Sequence, residues 1–264
     1  RQPHGLSGAR SHRFGARSMS PLELLVAAAA IVAGALVKAV TGLGLPIIAI
    51  PVMSLFIPVE DAVVIVAIPN LLMIAALLRH VRAAWPQTRD LPVLGVAGVV
   101  GAVVGTRVLV SVPEEPLMLA LAGLVIAYVV TTRHRADLAV SAAQSRRWAP
   151  VVGLFAGVMQ GAIGISGPIV ATWIYAARLP RDAYVLSVTT IFLVSGAAQA
   201  AVLGGAGRLW GTPLVLGLAA TVPVLATVPL GASIRDRLAS AAFDRLVLLL
   251  LAVSAVALVL RVAL

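Results

Sequence analysis

Apolar runs follow one another along almost the whole chain, and nothing constrains its fold more. They cover about residues 22–41, 43–57, 61–79, 91–110 and 116–132, then about 149–163, 165–177, 183–203, 211–232 and 243–263. Runs of about 20 residues match the ~30 Å hydrocarbon core of a bilayer when wound as helices. A backbone in lipid must satisfy its own hydrogen bonds, so such runs are either helices or the strands of a closed barrel. These runs are continuous in Ala, Leu and Val and lack the alternation of barrel strands. Charged residues make up 11% of the chain, against about 25% in soluble domains. The expectation is an all-α polytopic membrane protein with helices throughout.

The two halves of the chain resemble each other. Shifted by 122 positions, "GLGLPIIAIPVMSLFIP" (42–58) falls on "GISGPIVATWIYAARLP" (164–180). Gly42 meets Gly164, Pro46 meets Pro168, Ala49 meets Ala171 and Pro58 meets Pro180. Each half reads as a short helical hairpin broken by Gly and Pro, followed by three transmembrane helices. Four units follow: residues 1–18, a polar basic stretch before Met19 expected to be an extension or disordered tail; a first repeat, 19–132; a linker, 133–148; and a second repeat, 149–264.

Loop charges predict orientation. The loops 79–90, 133–147, 178–182 and 233–245 are rich in Arg, whereas 58–61 and 111–116 carry only acidic charges. If each short pair returns to its starting side, every basic loop falls on one face, which the positive-inside rule makes cytoplasmic. Each half then has an odd number of crossings. The second repeat is inverted relative to the first, and Met19 and the C-terminus are both external.

The net charge of +10 is therefore a mark of topology and not of a nucleic-acid partner. There is no cysteine, and His4, His12, His80 and His134 lie in polar segments, so neither a metal site nor a cofactor is expected. The ten acidic residues, Glu23, Glu60, Asp61, Asp90, Glu114, Glu115, Asp137, Asp182, Asp236 and Asp244, sit at helix ends or in loops. A cation pump or carboxylate proton relay needs an acid at mid-membrane depth. A membrane enzyme needs an intramembrane constellation of reactive groups. Neither is present, and no enzyme is expected.

Short segments interrupted by Gly and Pro at matching places in inverted halves point to a transporter's midplane site. Proline suits the first turn of a helix, so a helix is expected to start at each break, with its N–H groups and positive dipole end facing the break. Lys38, the only lysine, lies just before the first break, and Gln160 takes its place in the second half. The expected anion-binding residues are Lys38, Thr41, Gly42, Gly44, Pro46, Gln160, Gly164, Ser166, Gly167 and Pro168. A pathway is expected along Asn70, Thr189, Thr190, Ser195 and Gln199, polar groups on the third piece of each half. "GAVVG" (101–105) reads as a small-xxx-small packing motif.

The two breaks, "TGLGLPIIAIP" and "GAIGISGPIVA", resemble those of the TauE/SafE sulfite exporter family, in which twin apolar halves each open on a Gly-rich break and a Pro-bounded short helix. The resemblance covers nearly the whole chain from Met19. The family's common triple glycine is Gly44-Leu45-Pro46 in one copy and Ser166-Gly167-Pro168 in the other. The resemblance implies a multi-pass transporter of the bacterial inner membrane for sulfite, organosulfonates or related sulfur-containing or carboxylate anions. An anion channel with the same pore is the alternative, with a membrane-embedded enzyme ranked behind it. The expected partners are a small anionic substrate and the lipid bilayer. The coupling ion is unassigned, and a homo-oligomer is left open.

Overall fold

The structure, a computed structural model, describes residues 19–41, 44–133, 139–238 and 241–263. The expectations for residues 1–18 and for Gly42 lie outside the described residues. Among the described residues ten α-helices follow in order: α1 (Pro21–Thr41), α2 (Leu45–Met53), α3 (Val59–Val81), α4 (Leu91–Ser111), α5 (Glu114–Arg133), α6 (Ala142–Ile163), α7 (Gly167–Ala176), α8 (Arg181–Gly205), α9 (Thr212–Leu238) and α10 (Ala241–Ala263). A 3-10 turn, Arg82–Gln87, joins α3 to α4. Among the described residues there is no strand. Segments of five helices, α1, α3, α4, α8 and α9, are long and apolar enough to cross a membrane.

The element that opens each half is a long helix followed by a half-length one. α1 has 21 residues and α6 has 22, about 32–33 Å at ~1.5 Å per residue. α2 has nine residues and α7 ten, about 14–15 Å each by the same rise. α6 begins at Ala142, seven residues ahead of the apolar run at 149. Its first turns are polar, so hydropathy does not register them. A capping box does: the Gln144 N–H donates to Ser141 Oγ at 3.3 Å, and the Ser141 N–H donates to Gln144 Oε1 at 3.0 Å.

The long helices pair in a symmetric pattern. α4 packs on α6 and α8, while α9 packs on α1 and α3. α3 packs on α8, and α5 on α10. Exchanging each helix of the first half with its counterpart in the second (α1 with α6, through α5 with α10) leaves this set of pairs unchanged. The short helices break the exchange. α2 is enclosed by α1, α3, α5 and α10, with nearly every side chain buried. α7 packs on α6 and α8 and leaves Thr172 and Tyr175 exposed.

The closest helix contact is between α4 and α6, and glycine makes it. A methyl group on Gly101 would lie 2.1 Å from the Leu154 carbonyl oxygen, and one on Gly105 would lie 2.1 Å from that of Val158. From the other side, a methyl on Gly157 would lie 2.1 Å from the Gly98 oxygen. The two backbones touch, as small-residue stripes permit in membranes. This contact positions Gln160 and the second break.

Candidate functional site

Both short helices start where the prolines predict. Pro46 and Pro168 stand in the first turns of α2 and α7, where a missing N–H does no harm. The chain reaches α2 by folding back along α1. A methyl on Gly44 would lie 2.7 Å from the Lys38 backbone nitrogen and 2.9 Å from Val37 Cγ1, so only glycine passes there. The second break turns at Gly164, whose φ of 71° is left-handed; its N–H caps α6 by donating to the Gln160 backbone carbonyl oxygen at 2.9 Å. A methyl on Gly164 would also lie 2.5 Å from Ile50 Cδ1. The second break is thus pressed against α2, the helix that the first break starts.

One pocket collects the two breaks. Its walls include Lys38, Gly44, Pro46, Asn70, Gln160, Gly164, Ser166, Gly167, Pro168 and Phe192. All of these but Asn70 and Phe192 are the expected binding residues, less Thr41 and Gly42: the Thr41 side chain and Gly42 are outside the described residues. The pairs Lys38/Gln160, Gly44/Ser166 and Pro46/Pro168 are counterparts under the same 122-residue shift, and so are Asn70 and Phe192. Positions equivalent in sequence therefore face each other across one small space.

Lys38 does not reach towards an interface. It is 3% exposed, in the last turn of α1. Its Nζ donates to Asn70 Oδ1 at 2.6 Å and lies 5.9 Å from the centroid of the Phe192 ring, the outer reach of a cation–π contact. Asn70 takes one of three ammonium donors. On the other wall, the Ser166 hydroxyl donates to Gln160 Oε1 at 2.9 Å. Ser166 is the N-cap residue of α7, yet its side chain makes no cap bond. Gly44, the N-cap residue of α2, has no side chain to offer. Both helix starts meet the pocket without a side-chain cap, and uncapped first-turn N–H groups favour an anion.

The pathway residues divide. Asn70 is in the pocket wall, bonded to Lys38. Gln199 stands behind the wall: its Nε2 donates to the backbone oxygens of Gln160 at 2.8 Å and Gly161 at 3.2 Å, and its Oε1 accepts from Gln160 Nε2 at 3.3 Å. It holds the end of α6 in place. Ser195 is at the α4–α8 contact, where a methyl on Gly98 would lie 2.8 Å from its Oγ. Thr189 is buried, and the Thr190 hydroxyl is buried without a partner among the described residues. Neither is in the pocket wall. Sequence reasoning missed Phe192 and Tyr128, which also line the pocket. The repeat shift could have found Phe192, as the counterpart of Asn70. Tyr128, on α5, carries no sequence signal of its place.

A family model described as "Sulfite exporter TauE/SafE" matches residues 26–258 of the chain. No curated protein and no solved structure matches it.

Proposed function

The chain belongs to the TauE/SafE sulfite exporter family, and from that premise we propose that it is a secondary transporter carrying small anions across the bacterial inner membrane. Sulfite, organosulfonates and related carboxylates are the substrate class. The observation that carries this is the meeting of two helix N-termini and one buried ammonium at a single pocket. Each N-terminus presents about half a positive charge. Lys38 adds a full one, and Asn70, Gln160 and Ser166 add neutral hydrogen-bonding groups. No carboxylate lines the pocket among the described residues, so a cation would meet repulsion without a counter-charge.

Transport needs the pocket to open to each side in turn. The preserved pairing of helices is what two repeated halves would give, and the loop charges favour their opposite orientation, with basic loops on the cytoplasmic face. The short helices then differ by state. α2 is held by α10: the Arg261 guanidinium donates to the Ser54 carbonyl at the end of α2, and lies 3.6 Å from Glu114 Oε1. Nearby, Arg208 pairs with Glu60 at 3.2 Å. α7 instead borders an open cavity. Closing α7 while releasing α2 would exchange the roles of the halves and carry the anion across.

The test is reconstitution. Proteoliposomes under an imposed ion gradient should accumulate at least one of sulfite, sulfoacetate, taurine or simple carboxylates against its own gradient. Flux that only dissipates gradients would make the protein a channel. Movement of a divalent metal or an amine, with no anion of the panel, would refute anion transport altogether.

A further inference from the structure

Beside the charged pocket lies a second cavity, between α5 on one side and α6 and α7 on the other. Tyr128 and Pro168 stand in the walls of both. The two spaces differ in size and chemistry. The charged pocket measures ≈ 30 Å³ and its neighbour ≈ 620 Å³. A single water needs roughly 10–15 Å³ on this kind of measure, so the charged pocket takes a head group of few heavy atoms. The neighbour falls in the range of about 300–1,000 Å³ usual for organic ligands. Its walls include Leu124, Phe155, Met159, Ile169 and Trp173, and no charged side chain lines it among the described residues.

We propose that the substrate is an amphiphilic anion, with its charged head at Lys38 and the two helix N-termini and an apolar tail in the α5–α6–α7 cavity. This rests on the anion-transporter assignment above and narrows its substrate class to anions whose apolar tail is long enough to enter the second cavity, such as the longer alkanesulfonates. A purely inorganic oxyanion would fill the charged pocket and leave the neighbouring apolar walls without contact. The cavity is not a general consequence of the architecture. In the first half, α2 is enclosed, with α10 packed against it. What distinguishes the space from an ordinary lipid-facing groove is its inner end, which shares walls with the charged pocket. An occupant there has one end at Tyr128 and Pro168, which also line the pocket of the buried ammonium, and that charge complements an anionic head.

Gly123 makes the proposal testable. It lines the cavity, and a Cβ there would meet no atom within 4 Å. A leucine at this position starts from a Cβ in open space and adds bulk at the cavity wall. Competition binding in nanodiscs, with methanesulfonate, butanesulfonate and octanesulfonate, reads the result. In the wild type, affinity should rise by up to about fourfold per methylene that enters the cavity. Gly123→Leu should weaken octanesulfonate far more than methanesulfonate and flatten the chain-length trend, with Gly123→Ala between. Gly205→Leu, a residue also with open space around it but outside the cavity wall, should keep the trend. If sulfite and methanesulfonate bind and longer tails add nothing, the cavity belongs to a lipid acyl chain; the amphiphile is refuted and anion transport stands. The amphiphile is refuted in the same way if Gly123→Leu slows or weakens every anion equally, since the cavity is then an access path. Failure of sulfite and of every alkanesulfonate to bind would remove both.

Discussion

Lys38 is the residue on which the proposed anion site turns. Holding a charge near the membrane centre costs at least about 2.5 kcal/mol on insertion scales, and Asn70, a neutral amide, offsets only part of that. A bound anion would offset the rest. Lys38→Gln makes position 38 match Gln160, and its amide can still donate to Asn70, so the fold should be kept. Anion binding should weaken by roughly 1–3 kcal/mol, the scale of a hydrogen bond to a charged group, or about 5- to 150-fold in Kd. Lys38→Arg keeps the charge on a wide planar fork, which a pocket of ≈ 30 Å³ accommodates poorly, so it should recover part of the loss. Isothermal titration with the best anion of the panel decides the matter. Unchanged affinity in Lys38→Gln would leave the two helix N-termini as the whole site.

At the scale of elements, glycines decide which helices touch. α4 and α6 approach until backbone meets backbone, and a methyl on Gly157 would stand 2.1 Å from the Gly98 oxygen, with no flexible side chain to yield. Gly157→Ala should therefore push the helices apart and destabilise the protein by about 1–3 kcal/mol, the usual range for overpacking. Because α6 carries Gln160 into the pocket, anion affinity should fall with it. Gly123→Ala changes the same residue type in open space and should leave stability unaltered. Thermal unfolding in detergent compares the two directly. Equal melting temperatures for both variants would show that the α4–α6 contact is looser than the structure has it.

For the whole molecule, the unequal surroundings of α2 and α7 imply that one side is shut. Arg261 bridges the end of α10 to the Ser54 carbonyl and to Glu114. Ser54 itself is fully buried, and its hydroxyl has no partner among the described residues, so Ser54→Cys loses no hydrogen bond. In this cysteine-free chain, that thiol reports opening. Removing the bridge with Arg261→Ala should raise its labelling rate about 10- to 150-fold, the equivalent of ~1.5–3 kcal/mol for a hydrogen bond to a charged group. An impermeant maleimide applied to intact cells should label it from outside. Labelling only in inverted vesicles would reverse the proposed orientation, and an unaltered rate would mean that Arg261 is no gate.

Much of the fold is legible in the sequence, because hydropathy, length and proline act locally. The order of ten helices, the helix starts at Pro46 and Pro168, and the packing role of Gly101 and Gly105 all follow from residues close together in the chain. So does the pairing of Lys38 with Gln160, through the repeat. The polar start of α6 is also written there, in the Ser141–Gln144 capping box, but an apolar criterion passes over it. Only the tertiary structure decides which faces meet. In a soluble helix the apolar stripe marks the inside; here both lipid and core are apolar, so helices such as α9 and α10 carry no stripe to read. For that reason the meeting of the two breaks in one pocket, the contact of Lys38 with Phe192 from the other half, and the wall that Tyr128 shares between two cavities required the packed chain.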